Sequence, residues 1–171
     1  MSKTILETPR LLLRELSLGD LDFIAALLAD PEVMRFYPKC LSRDESEVWL
    51  RRQFERYERD GFGMWLVVEK ATGQPVGRVG LTRQEVEGVT ETEIGYMIQR
   101  ERWRRGFASE AAAGCRDHAF GVLGKERVIS LIRPANAPSQ AVARKIGMTP
   151  GPCIVQHAEL EHLVFAMGRP V

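Results

Sequence analysis

The spacing of apolar residues changes period several times along the chain, and each change predicts an element. Leu11-Leu12-Leu13, inside the stretch from Pro9 to Leu16, is a short run flanked by charge and predicts a strand that opens a sheet. Ser17 followed by Asp20 has the form of a helix start, and Leu21, Ile24, Ala25 and Leu28 recur at helical spacing until Pro31. A fuller capping box, Ser42 with Glu45, introduces a second helix whose apolar side is Trp49, Leu50, Phe54 and Tyr57 and whose end is Gly61. Its Arg51, Arg52, Glu55, Arg56 and Glu58 read as a solvated face.

From Gly63 onward the period shortens. Trp65 to Val68 and Val76 to Leu81 are β-type runs, and the turn composition Ala71-Thr72-Gly73-Gln74-Pro75 between them predicts an antiparallel hairpin. Gln84 to Val89 is polar and is expected to be an exposed crossover. Thr92 to Ile98 forms the next strand, with Ile94, Tyr96 and Ile98 on one side and Glu93, Gly95 and Met97 on the other. Gly95 in mid-strand either weakens it or marks a bulge. Phe107 to Val122 is helical by pattern, and its stripe of Ala108, Ala111, Ala112, Cys115 and Ala119 is small enough to approach a sheet closely. Val128 to Ile132 reads as a buried strand, Pro138 to Ile146 as a helix ended by Gly147, and Cys153 to Val155 and Leu163 to Met167 as closing strands. This is a mixed α and β order of the α+β class. No repeat or linker divides it, so one domain over residues 1–171 is expected.

Composition narrows the chemistry by exclusion. The hydrophobic fraction of 44% and charged fraction of 27% are those of an ordinary globule. With 24 basic and 23 acidic residues there is no global field to draw the chain onto nucleic acid or a membrane, so any anion site must be local. Cys40, Cys115 and Cys153 lack CxxC pairing, and no apolar run has the form of a signal or a membrane span, so a reduced, cytoplasmic protein is expected. His118, His157 and His162 read as surface or packing residues, and no pair has metal-site spacing, so no metal is expected.

The local anion site is expected between the Thr92–Ile98 strand and the helix from Phe107. The intervening Gln99-Arg100-Glu101-Arg102-Trp103-Arg104-Arg105-Gly106 ends where unpaired amides point out of a helix N-terminus, which the helix dipole makes favourable for negative charge. Gly106 permits close approach or a positive φ, Ala108 leaves room, and Arg104 and Arg105 add charge-assisted donors. A glycine at a strand-to-helix junction is also common without any ligand. Neither GxxxxGK[ST] nor GxGxxG is present, so a P-loop and a dinucleotide fingerprint are excluded.

Four motifs in order then resemble the GNAT superfamily of acyl-CoA-dependent N-acyltransferases, in particular the RimJ/RimL type of ribosomal-protein N-terminal acetyltransferases. They are Thr8-Pro9-Arg10-Leu11-Leu12-Leu13-Arg14, Glu93-Ile94-Gly95-Tyr96, the Trp103-to-Ala108 turn with Ser109-Glu110-Ala111, and Asn136-Ala137-Pro138-Ser139 leading to Lys145-Ile146-Gly147-Met148. Trp103 replaces the usual Gln or Arg at the first turn position, as it often does in the RimJ/RimL type, and Met148 replaces a usual phenylalanine. The resemblance implies a mostly antiparallel, twisted central sheet, flanked by helices and splayed between its fourth and fifth strands. It also implies acetyl-CoA as cosubstrate. The pyrophosphate would lie over Arg104, Arg105, Gly106, Phe107, Ala108 and Ser109, the pantetheine arm near Met97, Ile98 and Asn136, and the adenosine phosphate near Arg144 and Lys145.

For the reaction, the resemblance points to direct attack by a primary amine, with Glu93 as base through water and Ser139 as acid to the thiolate. Many relatives use a tyrosine there, and none follows Tyr96 in the sequence, which leaves Ser139. A surface carboxylate at Glu93 and plain helix capping by Asn136 and Ser139 are the structural alternatives. The acceptor expected from the subtype is a peptide or protein N-terminal amine; a polyamine or aminoglycoside, or a non-catalytic acyl-CoA or peptide binding module, are the rivals. Val33 to Ser42, with Phe36, Tyr37 and Pro38, either lines the acceptor cleft or packs in the core. Relatives occur as monomers and homodimers.

Overall fold

The computed structural model describes residues 2–171. Its strands are β1 (Thr4–Glu7), β2 (Leu11–Arg14), β3 (Met64–Glu69), β4 (Gln74–Val86), β5 (Val89–Ile98), β6 (Arg127–Ile132), β7 (Thr149–His157) and β8 (Leu160–Gly168). The helices are α1 (Leu21–Ala29), α2 (Arg43–Asp60), α3 (Phe107–Gly121) and α4 (Ala137–Lys145). One 8-stranded sheet runs in the order β1-β2-β3-β4-β5-β6-β8-β7, antiparallel except where β6 lies parallel to β5.

The two faces of the sheet are covered by different helices, as the alternation along β5 predicts. Ile94 and Ile98 join the cluster under α3, where Ala111, Ala112, Cys115 and Ala119 are wholly buried. A stripe without bulk lets α3 lie close to the strands. Met97, on the opposite face, packs with Leu66 of β3, Ile24 and Leu28 of α1 and Leu50 of α2. Both ends of α2 form as expected: Ser42 accepts from the Glu45 amide while the Glu45 carboxylate accepts from the Ser42 amide, and Gly61 is the C-cap.

Three sequence expectations are corrected. The Leu11 run does not open the sheet, because β1 lies outside it as the edge strand; its half-exposed Thr4-Ile5-Leu6-Glu7 carries too weak an alternation to stand out. Gln84 to Val89 is no crossover. β4 and β5 continue through it as a hairpin closed by Glu87 and Gly88, at φ 49° and 80°, the two positive values that a tight primed turn requires. Glu85 and Glu87 are exposed, while Gln84 and Val86 share the inward side, where Val86 packs with Ile129 and Val155. Gly95 marks no bulge: it pairs with Gly80 in a register that is unbroken from Gly77↔Ile98 to Val86↔Val89.

The feature that positions the site is the join between β5 and β6. They share a single register pair, Glu93↔Ile129, whereas β4 and β5 pair along their whole length. Beyond that pair side chains take over: Ser130 Oγ donates to the Ile94 carbonyl at 2.7 Å, and the Leu131 amide donates to the Glu93 carboxylate at 2.9 Å. The sheet is thus splayed where the resemblance implies, between the strands that are fourth and fifth when the edge strand is left out.

Candidate active site

The turn after β5 is built by backbone strain and a long-range brace. Arg104 sits at φ 60° without being glycine, and Gly106, the N-cap of α3, sits at φ 77°. The first intrahelical bond runs from the Glu110 amide to the Gly106 carbonyl, so the amides of Phe107, Ala108 and Ser109 have no partner in the preceding turn. The outer side of the turn is held by Arg10, which donates to the Arg105 carbonyl at 2.9 Å and to Glu110 at 2.7 Å, with its guanidinium 4.7 Å from the Phe107 ring centre. Thr8 Oγ1 and the Arg10 amide also donate to Glu110, at 2.6 and 2.9 Å. Burial opposes its ionisation, but the Thr8 and Arg10 hydrogen bonds prevail and hold Glu110 below the usual carboxylate range. Arg104 and Arg105 are exposed. Open amides with free cations beside them can cradle a pyrophosphate.

A cavity of about 310 Å³ opens at the splay. It is lined by Glu93, Tyr96, Ser130, Asn136 and Ser139, by Phe36, Tyr37, Pro38 and Trp49, and by His157 and His162 of the β7–β8 hairpin. Glu93 accepts from Leu131 N–H at 2.9 Å and from Gln84 Nε2 at 3.1 Å, with Thr82 Oγ1 at 3.4 Å. Desolvation outweighs these bonds and the nearby His157, and it raises the Glu93 carboxyl above the ordinary glutamate range. Asn136 Oδ1 caps α4 by accepting from the Ser139 amide at 3.2 Å. Tyr96 Oη donates to the Ser139 carbonyl at 2.6 Å, and burial raises its pKa too, so the phenol stays protonated. Burial lowers the His162 pKa, although its Nδ1 lies 3.0 Å from the Leu160 carbonyl oxygen.

Register decides which β5 backbone groups face the opening. The Gln99 amide donates to the Val76 carbonyl, and Gln99 lies two residues beyond Met97, whose partner is Arg78. In an antiparallel ladder such alternation turns the Met97 amide towards β4 and those of Ile94, Tyr96 and Ile98 towards the splay. Ile98 agrees, since its carbonyl accepts from Trp103 Nε1 at 2.7 Å.

Residues 10–149 match the acetyltransferase (GNAT) domain family. The chain belongs to the GNAT acetyltransferases. It is 30% identical over 145 residues to the uncharacterized N-acetyltransferase YoaA of Bacillus subtilis, covering 84% of this chain and 81% of that one. The RimL ribosomal L7/L12 alpha-N-protein acetyltransferase in complex with coenzyme A superposes with a TM-score of 0.79 at 18% identity, over 97% of this chain and 98% of that one. Spermidine N-acetyltransferase from Vibrio cholerae, in complex with CoA and spermine, does so with a TM-score of 0.75 at 20% identity, over 95% and 97%. The chain is therefore an acetyl-CoA-dependent N-acetyltransferase, and its structural neighbours include enzymes for protein and for polyamine acceptors.

Of the residues singled out in this GNAT sequence, Glu93, Asn136 and Ser139 meet in the cavity. Arg104 to Ser109 form the separate turn at the end of β5. The Met97 side chain is buried against α1 and α2 and its amide is turned to β4 by register, so the strand amides facing the opening are its neighbours'. Lys145 is exposed in the last turn of α4 and does not line the cavity. Several other lining residues carry no local signal of the cavity in the sequence. Tyr96 reaches Ser139 from a different element, so a tyrosine is present after all; sequence order could not show that β5 and α4 meet. Arg56, expected on a solvated face, is half-buried and lines the cavity with Arg78. His157 and His162 also line it, with ring centres 6.0 Å apart, while His118 stacks edge-on against Trp65 elsewhere.

Proposed function

We propose that the chain transfers an acetyl group from acetyl-CoA to a primary amine held in the cavity at the β5–β6 splay, and that the acceptor is a peptide or protein N-terminal amine. The observation that carries this reading is the convergence of Glu93, Tyr96, Asn136 and Ser139 on one cavity. Acetyl-CoA supplies an activated acyl carbon; the chain's own residues position it and manage two protons.

The amides of Phe107, Ala108 and Ser109 hold the pyrophosphate, with Arg104 and Arg105 beside them, and Asn136 offers its side-chain nitrogen to the pantetheine arm. Lys145 meets the adenosine phosphate. The opening-facing amides of Tyr96 and Ile98, beside Met97, donate to the arm and to the carbonyl oxygen as negative charge develops on it. Glu93 takes the proton of the attacking amine, directly or through one water, as the C–N bond forms. The Ser139 hydroxyl, which has no acceptor among the described residues, gives a proton to sulfur as the C–S bond breaks and regains one from water, while Glu93 releases the amine proton to solvent; the Tyr96 phenol stands next to Ser139. An α-amine, with a free pKa of about 7.7–8.0, asks much less of that base than a lysine amine near 10.4. A carboxylate whose proton affinity is raised by burial suits it.

The test is CoA release measured with N-terminal peptides, polyamines and aminoglycosides as acceptors. Release with peptides and a fall of about 10²-fold in kcat for Glu93→Gln are expected. Tight acetyl-CoA binding without release from any acceptor would instead identify a binding module.

A further inference from the structure

Resting on the reading of this cavity as the acceptor site, we infer that the accepted amine also carries a carboxylate, held by Arg78 and Arg56 at the far end of the cavity from Glu93. Arg78 lies on β4, is only 7% exposed, and its Nε is buried without a hydrogen-bond partner. Its Cζ lies over the Trp49 ring, 4.9 Å from the ring centre, a cation–π contact that holds the guanidinium in place without using its N–H donors. Arg56 reaches the same cavity from α2, where its Nη1 donates to Gln53 Oε1 at 3.3 Å.

Carboxylates neutralise buried or half-buried arginines elsewhere in the molecule: Asp20 at Arg14 and Glu69 at Arg102, both at 2.8 Å. Among the described residues no carboxylate pairs with Arg56 or Arg78, and Asp60, the acid that favours the Arg56 charge, is taken by Arg59 at 2.7 Å. Burial, then the like charges of Arg52, Arg59 and Arg78, lower the pKa of Arg56. The charged lining as a whole is three guanidiniums, Arg56, Arg78 and Arg133, against the Glu93 carboxyl, with His157 and His162 able only to add positive charge. Arg133 is turned to the Phe36 carbonyl at 3.5 Å and its Nε is likewise unpartnered. A guanidinium kept out of water without a counter-charge destabilises the free protein, and a ligand carboxylate would remove that cost.

The strand register sets the distance. Arg78 pairs with Met97 and Thr82 with Glu93, four residues apart on β5, or roughly 13 Å between backbone positions. Gly80 and Gly95 form the pair midway, and the Met64 thioether lies over Gly95. An amine at Glu93 and a carboxylate at Arg78 therefore belong to one extended acceptor, either a peptide with an acidic residue close to its N-terminus or a small ω-amino acid. A cationic polyamine matches neither the sign nor the distribution of this lining.

The experiment measures kcat/KM for matched acceptors: peptides with Glu or Gln at the second position, ω-amino acids with their carboxamides, and spermidine. Acids are expected to exceed amides by about tenfold or more, the equivalent of one charge-assisted hydrogen bond. The peptide and ω-amino acid arms tell the two sources apart. Arg78→Met and Arg56→Gln are each expected to bring the ratio towards one, mainly through KM, with a thermal midpoint for Arg78→Met equal to or above the wild type. An acid-to-amide ratio of one or less in the wild type, or an unchanged ratio in Arg78→Met, overturns the inference. If no acceptor releases CoA, the acetyl-transfer reading of the cavity fails separately. Calorimetric binding of glutarate by the full chain then decides the anion site: binding lost in Arg78→Met supports it, and no binding refutes it.

Discussion

Glu93 has two tasks at the same atoms. Its carboxylate bridges the splay by accepting from Leu131, and in the proposed reaction it takes the amine proton. Glu93→Gln separates the tasks, because the amide oxygen still accepts from Leu131 while the base is lost. The acid limb of log kcat/KM, set in the wild type by a carboxyl raised mainly through desolvation, should lie above the ordinary glutamate value of 4.5 and disappear in the variant. Linkage runs the opposite way: with a folded pKa above the unfolded one, the contribution of Glu93 to stability is complete below the ordinary value and is lost as pH rises through the raised one. Denaturant midpoints of the wild type should therefore fall, relative to Glu93→Gln, over that rise. Ser139→Ala should lower kcat without changing stability, since the hydroxyl has no hydrogen-bond partner among the described residues. Tyr96→Phe should also cost about 1 kcal/mol of stability through its bond to the Ser139 carbonyl.

The turn and the first residues of α3 are held from nearly one hundred positions earlier in the chain. Thr8 and Arg10 converge on Glu110, and Arg10 closes on the Arg105 carbonyl, so the opening Thr-Pro-Arg and the turn work as one structure. Glu110→Ala should cost about 2 kcal/mol and raise the Kd for acetyl-CoA roughly tenfold, as measured by denaturation and calorimetry. Because Glu110 is held below the usual carboxylate range, its contribution is present above the ordinary value and is lost as pH falls through the lowered one. Gly106→Glu should abolish acetyl-CoA binding outright, since it places a side chain and a negative charge on a residue at φ 77°. The helices were legible because caps and small-residue stripes are local signals: Ser42 with Glu45, Asn136 with Ser139, and the alanines of α3. The β4–β5 hairpin was not, because a half-exposed strand carries the composition of a loop. Arg56 misled for a similar reason: on a helix an arginine facing solvent and one facing a cavity look alike until the neighbouring β4 is in place.

At the scale of the molecule, β6, β8 and β7 are joined to β5 by one register pair, the side-chain bonds of Ser130 and Glu93, and the Arg127–Glu91 ion pair at 3.2 Å. A ligand arm lying along β5 should therefore tighten this seam. Amide exchange at Tyr96 and Ile98 is expected to slow on adding acetyl-CoA, and at one hundred times its Kd the whole chain should gain about 2.7 kcal/mol. The sequence by itself determined the class of fold, the order of most elements, the turn before α3 and the capping residues of α4, because period, caps and glycine positions act over a few neighbours. Only the tertiary structure decided that Tyr96 stands at Ser139, that Arg10 braces the turn, and that Arg56 and Arg78 share a cavity with Glu93. Each of those depends on strands and helices far apart in the chain being set side by side, and pairing register and packing do that where no local pattern can.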